Sequence, residues 1–115
     1  PIDLVATRYG AKLQGADCIC LTKLDVLSYM TEIPLCVGYK IGENIVKDFP
    51  VTPQLIKSEP VYITMPGWNT HISKVTQYDK LPQEARNYIE YIEKYIECPI
   101  THISVGPGRD EIIYR

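Results

Sequence analysis

Apolar and polar positions change period several times along the chain, and each change marks an element. The clearest pattern covers residues 82–97. Leu81, Ala85, Tyr88, Ile89, Ile92, Tyr95 and Ile96 recur at helical spacing and form one apolar stripe. Pro82 suits the first helical position, and Gln83 and Glu84 suit the first turn. Glu90 and Lys94 stand four apart, in the favourable order for an ion pair. Pro99 ends this helix because it disfavours helical geometry at Cys98. Residues 16–22 (ADCICLT) are a short apolar run behind Gly15 and predict a buried strand. Residues 33–41 (IPLCVGYKI) predict a strand closed by Gly42, and residues 59–65 (EPVYITM) another, closed by Pro66-Gly67. Residues 100–105 (ITHISV) predict a last strand that runs into Gly106-Pro107-Gly108.

The weaker stretches are read from what surrounds them. Residues 24–30 predict a short helical turn. Residues 43–58 hold Pro50 and Pro53 and predict a loop with a short helical stretch. Residues 68–79 are polar and turn-like, with Trp68 as a packing anchor. Residues 2–13 fit either a strand or a helix. The resulting order is strand, helix, strand, loop, strand, long helix, strand, which is α/β. In open α/β sheets, ligands bind beyond the carboxyl ends of strands. Two loops stand there: Thr22-Lys23-Leu24-Asp25 and Ser104-Val105-Gly106-Pro107.

Composition adds bounds. The 115 residues are 45% hydrophobic and 23% charged, enough for one core. Twelve basic against fourteen acidic residues give a net charge of -2, which implies no broad attraction to nucleic acid or an anionic membrane. No apolar run reaches membrane length. The four cysteines, Cys18, Cys20, Cys36 and Cys98, match no zinc spacing. They read as small buried hydrophobes in a reducing cytosol, which places the protein in the cytoplasm. The nine tyrosines read as core and surface filling.

The two loops suit one ligand chemistry. Guanine presents its ring N1–H and its exocyclic amine side by side, and one carboxylate can accept from both. Adenine has no such edge. Asp25 is placed for this role, and the methylene stem of Lys23 can lie over the base. Lys-x-Asp at a strand end is how P-loop GTPases read guanine. Guanine O6 needs donors, which backbone N–H groups around Gly106 can supply, and Ser104 can contact the base edge. Each loop also has an ordinary alternative: Asp25 opening a helix with Lys23 solvated, and Gly106 serving only the backbone of a strand exit.

Several blocks together resemble a known family. CLTKLDVL, EIPLCVGYKI, EPVYITMPGW, LPQEARNYIEYIE and CPITHISVGPGRD occur in the order and spacing of adenylosuccinate synthetases, from about Val5 to Asp110. The resemblance implies the C-terminal part of a P-loop-type GTP-dependent ligase, with a mixed sheet and one long amphipathic helix. Residues 1–115 would then be one guanine-binding segment. Such enzymes join IMP and L-aspartate using GTP and Mg²⁺, giving adenylosuccinate, GDP and phosphate on the route to AMP. GTP phosphorylates the IMP 6-oxygen, and the aspartate amine then displaces phosphate. Full-length members are usually homodimers. The resemblance assigns guanine contacts to Lys23, Leu24 and Asp25 and to Ser104, Val105 and Gly106. Many relatives have a small polar residue where Val105 stands, so Val105 can offer only its backbone.

The same resemblance implies what these residues do not include. No GxxxxGK[ST] phosphate loop occurs among them. The family's catalytic aspartate and histidine, its arginine-rich loop and its Mg²⁺ ligands have no match here. His71 and His102 do not match the catalytic histidine, and neither Arg8 nor Arg109 inherits a role. The start at Pro1 and the missing phosphate loop lead us to expect a fragment of an enzyme, inactive alone. The alternatives are a stand-alone guanine-nucleotide-binding module without catalysis and a folded piece that binds nothing.

Overall fold

A computed structural model describes residues 2–47 and 58–115. Part of the predicted loop at 43–58 therefore lies outside the described residues.

The ambiguous N-terminal stretch is both things in turn. A two-residue strand β1 (Ile2–Asp3) passes directly into helix α1 (Leu4–Gln14). Asp3 makes the switch, because its carboxylate accepts the Ala6 N–H at 3.0 Å and caps the first turn. Gly15 ends α1 in a left-handed conformation (φ 62°), which frees the Ala16 N–H to reach the Ala11 carbonyl. A second helix thus stands beside the one expected.

Strand β2 (Ile19–Leu21) follows, then a 3-10 turn (Leu24–Leu27). Strand β3 (Glu32–Ile41) and strand β4 (Asn44–Val46) form a hairpin about Gly42. Strand β5 (Glu59–Pro66) pairs antiparallel along nearly all of β3. A 3-10 turn at Tyr78–Lys80 leads to helix α2 (Gln83–Ile96), then strand β6 (Ile100–Ser104) and strand β7 (Ile112–Tyr114). Strands β4 and β7 carry too few residues to announce themselves by period.

The strands do not join into the single mixed sheet expected. One sheet has β1 and β5 beside β3, with β4 at its end, and β1 alone runs parallel. The other has the order β2-β6-β7, with β2 parallel and β7 antiparallel to β6. Helix α2 joins them through one core. Its predicted stripe is buried at Ala85, Tyr88, Ile89, Ile92 and Ile96. That stripe packs with Ile33 and Leu35 of β3, Ile100 and Ile103 of β6, and Ile113 of β7. Trp68 is buried edge-on against Tyr88, with ring centroids 5.7 Å apart.

Three local expectations need correction. Pro82 stands at the cap of α2 and not inside its first turn. The helix ends at Ile96, where Glu97 turns left-handed (φ 58°) ahead of Pro99. Among the described residues the ion pairs are Arg115–Glu93 at 2.8 Å and Lys12–Glu97 at 3.6 Å, not Glu90–Lys94. Glu93 also accepts the Ile100 N–H and so ties α2 to the start of β6.

The cysteines divide. Cys36 and Cys98 are buried, and burial pushes the Cys36 thiol pKa upward. Cys18 and Cys20 are exposed. The expected buried strand is only half-buried: Cys20 lies on the face of β2 turned from the core, between half-buried Ile19 and Leu21, and Cys18 precedes the strand.

Candidate functional site

The two loops of interest leave neighbouring strands in the same direction. Strands β2 and β6 run parallel, with Leu21 opposite Ile103. Thr22 and Ser104, the next residues, therefore depart side by side from strands about 4.8 Å apart. The register brings Thr22–Asp25 and Ser104–Gly106 to one carboxyl edge, although they are far apart in sequence.

The first loop turns sharply. Lys23 adopts a left-handed backbone (φ 59°, ψ 34°), unusual for a residue with a side chain. The 3-10 turn then closes through Val26 N–H to the Lys23 carbonyl at 3.3 Å and Ser28 N–H to the Asp25 carbonyl at 3.1 Å. Leu24 pins the turn, with its side chain 1% exposed inside the core. It can offer a ligand only its backbone. Lys23 is exposed and Asp25 half-buried. No side-chain hydrogen bond or ion pair engages either charge among the described residues. Beside Lys23, an apolar groove of about 450 Å³ is lined by Leu21, Val26, Met30 and Ile33, among others.

The second loop can be followed donor by donor. Ser104 pairs with Ile112 in the β6–β7 ladder. Val105 is fully buried, and its N–H donates to the Glu111 carbonyl at 2.8 Å. Pro107 has no N–H, and the Gly108 N–H donates to Glu111 Oε1 at 3.3 Å. The Ser104 hydroxyl donates to the Gly106 carbonyl at 3.0 Å. The Gly106 N–H is the donor of this stretch left without an acceptor among the described residues.

Of the residues expected at the site, Lys23 and Asp25 thus present charged groups at the edge. Ser104 is half-buried with its hydroxyl donated to the Gly106 carbonyl, and Gly106 is buried behind it. Leu24 and Val105 hold the two loops to the core. The sequence reading missed Glu111, which accepts from two N–H groups of the second loop. Its available signal was an acidic residue directly before an apolar pair, Ile112-Ile113, and after a loop with two glycines.

The other residues stay outside this edge. His102 sits on β6 with its ring 5.0 Å from Tyr114 and its Nδ1 2.8 Å from the Thr101 hydroxyl. The Arg8 guanidinium lies 4.7 Å from the centre of the Tyr95 ring and donates to the Lys47 carbonyl. No cluster of three or more His, Cys, Asp or Glu residues suited to a metal ion occurs among the described residues. No helix among them is long and apolar enough to cross a membrane.

Known proteins agree on one relationship. The family model for adenylosuccinate synthetase matches residues 1–113. The adenylosuccinate synthetase of Chlorobium phaeobacteroides is 44% identical over 115 residues, covering 99% of this chain and 26% of the relative. That of Schizosaccharomyces pombe is 41% identical, with the same coverage. A solved structure of fully ligated adenylosuccinate synthetase from Plasmodium falciparum superposes with a TM-score of 0.93 at 39% identity. That match covers 99% of this chain and 28% of the other. The chain therefore spans about a quarter of the length of the relatives it matches. A family model and relatives that span nearly all of these residues leave no second assignment: the chain belongs to the adenylosuccinate synthetase family.

Proposed function

We propose that this chain is the guanine-reading segment of a GTP-dependent adenylosuccinate synthetase, from the C-terminal part of that enzyme. The observation that supports the reading is the parallel register of β2 and β6, from whose adjacent ends the segments of Asp25 and Gly106 both start. Asp25 accepts from N1–H and the 2-amine of the base in a charge-assisted pair. The stem of Lys23 covers one face of the ring, and its left-handed backbone turns that stem away from the strand direction. The Gly106 N–H donates to O6, and Ser104 stands beside the base edge. Leu24 and Val105 hold the two loops in register and contribute only backbone to the ligand.

The complete enzyme joins IMP and L-aspartate at the expense of GTP, giving adenylosuccinate, GDP and phosphate for AMP synthesis. It works in the cytoplasm, as a homodimer. Mg²⁺ belongs with the phosphates, whose binding loop is not among these residues. The chain alone therefore recognises a base and catalyses nothing. In the complete enzyme, Asp25→Asn costs about 1.5–3 kcal/mol of GTP affinity. It also shifts preference toward xanthosine triphosphate, whose 2-oxo group can accept from the new amide. Steady-state kinetics with both nucleotides check this; an unchanged KM for GTP removes Asp25 from the site.

A further inference from the structure

We propose that Glu111 is the positioning residue of the Ser104–Gly108 loop, fixing the turn that carries Gly106, the residue assigned above to guanine O6. The inference rests on the base reading above and adds a residue to it. Three contacts join Glu111 to the loop. Its carbonyl accepts the Val105 N–H at 2.8 Å, its N–H donates to the Gly108 carbonyl at 3.1 Å, and its Oε1 accepts the Gly108 N–H at 3.3 Å. Both peptide groups and the side chain are thus committed to one turn. The carboxylate lies directly against Gly106, so that a Cβ built there would overlap Oε2 and Cδ. A Cβ at Gly106 would push the end of the Glu111 side chain aside, and Gly106 shows no positive φ, which among the described glycines only Gly15 and Gly42 show.

The arrangement has a direct consequence for specificity. With the Val105 and Gly108 N–H groups taken and Pro107 unable to donate, the loop has one N–H to offer, that of Gly106. One donor at a set position recognises a carbonyl oxygen and repels nothing else on the base. Were Glu111 absent, the Gly108 N–H would lose its acceptor and the loop its inner wall. The N–H that meets O6 would then be free to swing. Glu111 also borders a polar cleft shared with Ser73, Lys74, Thr76 and Asp110. Loss of its side chain would open that cleft toward Gly106.

The test compares nucleotides that differ at one edge. Inosine triphosphate keeps O6 and lacks the 2-amine that Asp25 reads. In the complete enzyme, Glu111→Ala should raise the KM for GTP and for inosine triphosphate by the same factor, about tenfold for one lost hydrogen-bond arrangement. The kcat and the KM for IMP and for aspartate should stay as they are. Glu111→Gln, which keeps Oε1 as acceptor, should remain within about threefold of the parent. Asp25→Asn should instead change the ratio between GTP and inosine triphosphate. If Glu111→Ala leaves the GTP KM unchanged while Asp25→Asn raises it, the role of Glu111 is overturned and the base reading stands. If neither variant changes the GTP KM, the base reading itself falls. If Glu111→Ala raises every KM together, Glu111 supports the fold generally and the proposal fails. Should Glu111→Ala not fold, Glu111→Asp, which shortens the reach by one methylene, is read by the same ratio of nucleotides.

Discussion

At the scale of single residues, the candidate site departs from low-energy geometry at one place. Lys23 holds a left-handed backbone while keeping its side chain. For an L-residue that conformation costs about 1–2 kcal/mol. Glycine would take it without strain, yet glycine has no stem to cover a base. Lys23→Gly should therefore leave the protein as stable or more stable, by up to about 1 kcal/mol in denaturant unfolding. The same variant should raise the GTP KM of the complete enzyme. Stability and nucleotide affinity moving together would remove this trade-off. Asp25 and Lys23 stand out in the sequence as candidates, because a carboxylate two positions after a lysine at a strand end is a local pattern. Glu111 does not. It lies against Gly106 only in the folded chain, and no spacing rule predicts that contact.

At the scale of elements, helix α2 is where pattern and structure agree best. Its apolar stripe was legible because a fourteen-residue helix repeats its period several times. Ile89 lies at the centre of that stripe, fully buried in the core shared with both sheets. Ile89→Ala should cost about 2–5 kcal/mol, measured by chemical unfolding with an unchanged m-value. A loss below about 1 kcal/mol would mean that the core collapses around the cavity. Helix α1 was half legible. Its residues permit strand or helix, and the decision falls to the Asp3 cap and the Gly15 stop at its ends. Strands β4 and β7 were invisible, because three residues contain no period. They exist because β3 and β6 offer them hydrogen-bonding edges.

At the scale of the whole molecule, both sheets share one core with helix α2. Tyr88 sits at that junction, against Trp68, and burial holds its pKa up from its ordinary 10.0 to about 12. Below pH 10 the phenol is neutral in both the folded and the unfolded chain. Between pH 10 and 12 the unfolded chain releases the proton while the folded chain keeps it. Stability should therefore fall with rising pH across that window, by about 2–3 kcal/mol from this residue. Tyr78 and Tyr95, also raised by burial, add slope of the same sign. Tyr88→Phe should flatten the alkaline loss, as read by unfolding at several pH values. An identical slope in the variant would place the titration elsewhere.

The division between sequence and structure follows from the range of the forces involved. Local rules determined the long helix, the two long strands and the short strands that lead to the candidate loops. They also marked Lys23, Asp25, Ser104 and Gly106, whose chemistry is written in residue type and in position after a strand. Tertiary structure alone decided that there are two sheets, that β7 closes against β6, and that Cys18 and Cys20 are exposed. It alone set Leu21 opposite Ile103, which turns two separate loops into one edge. A strand's period says which of its faces the core buries, but which distant strand lies beside it depends on how the whole core packs.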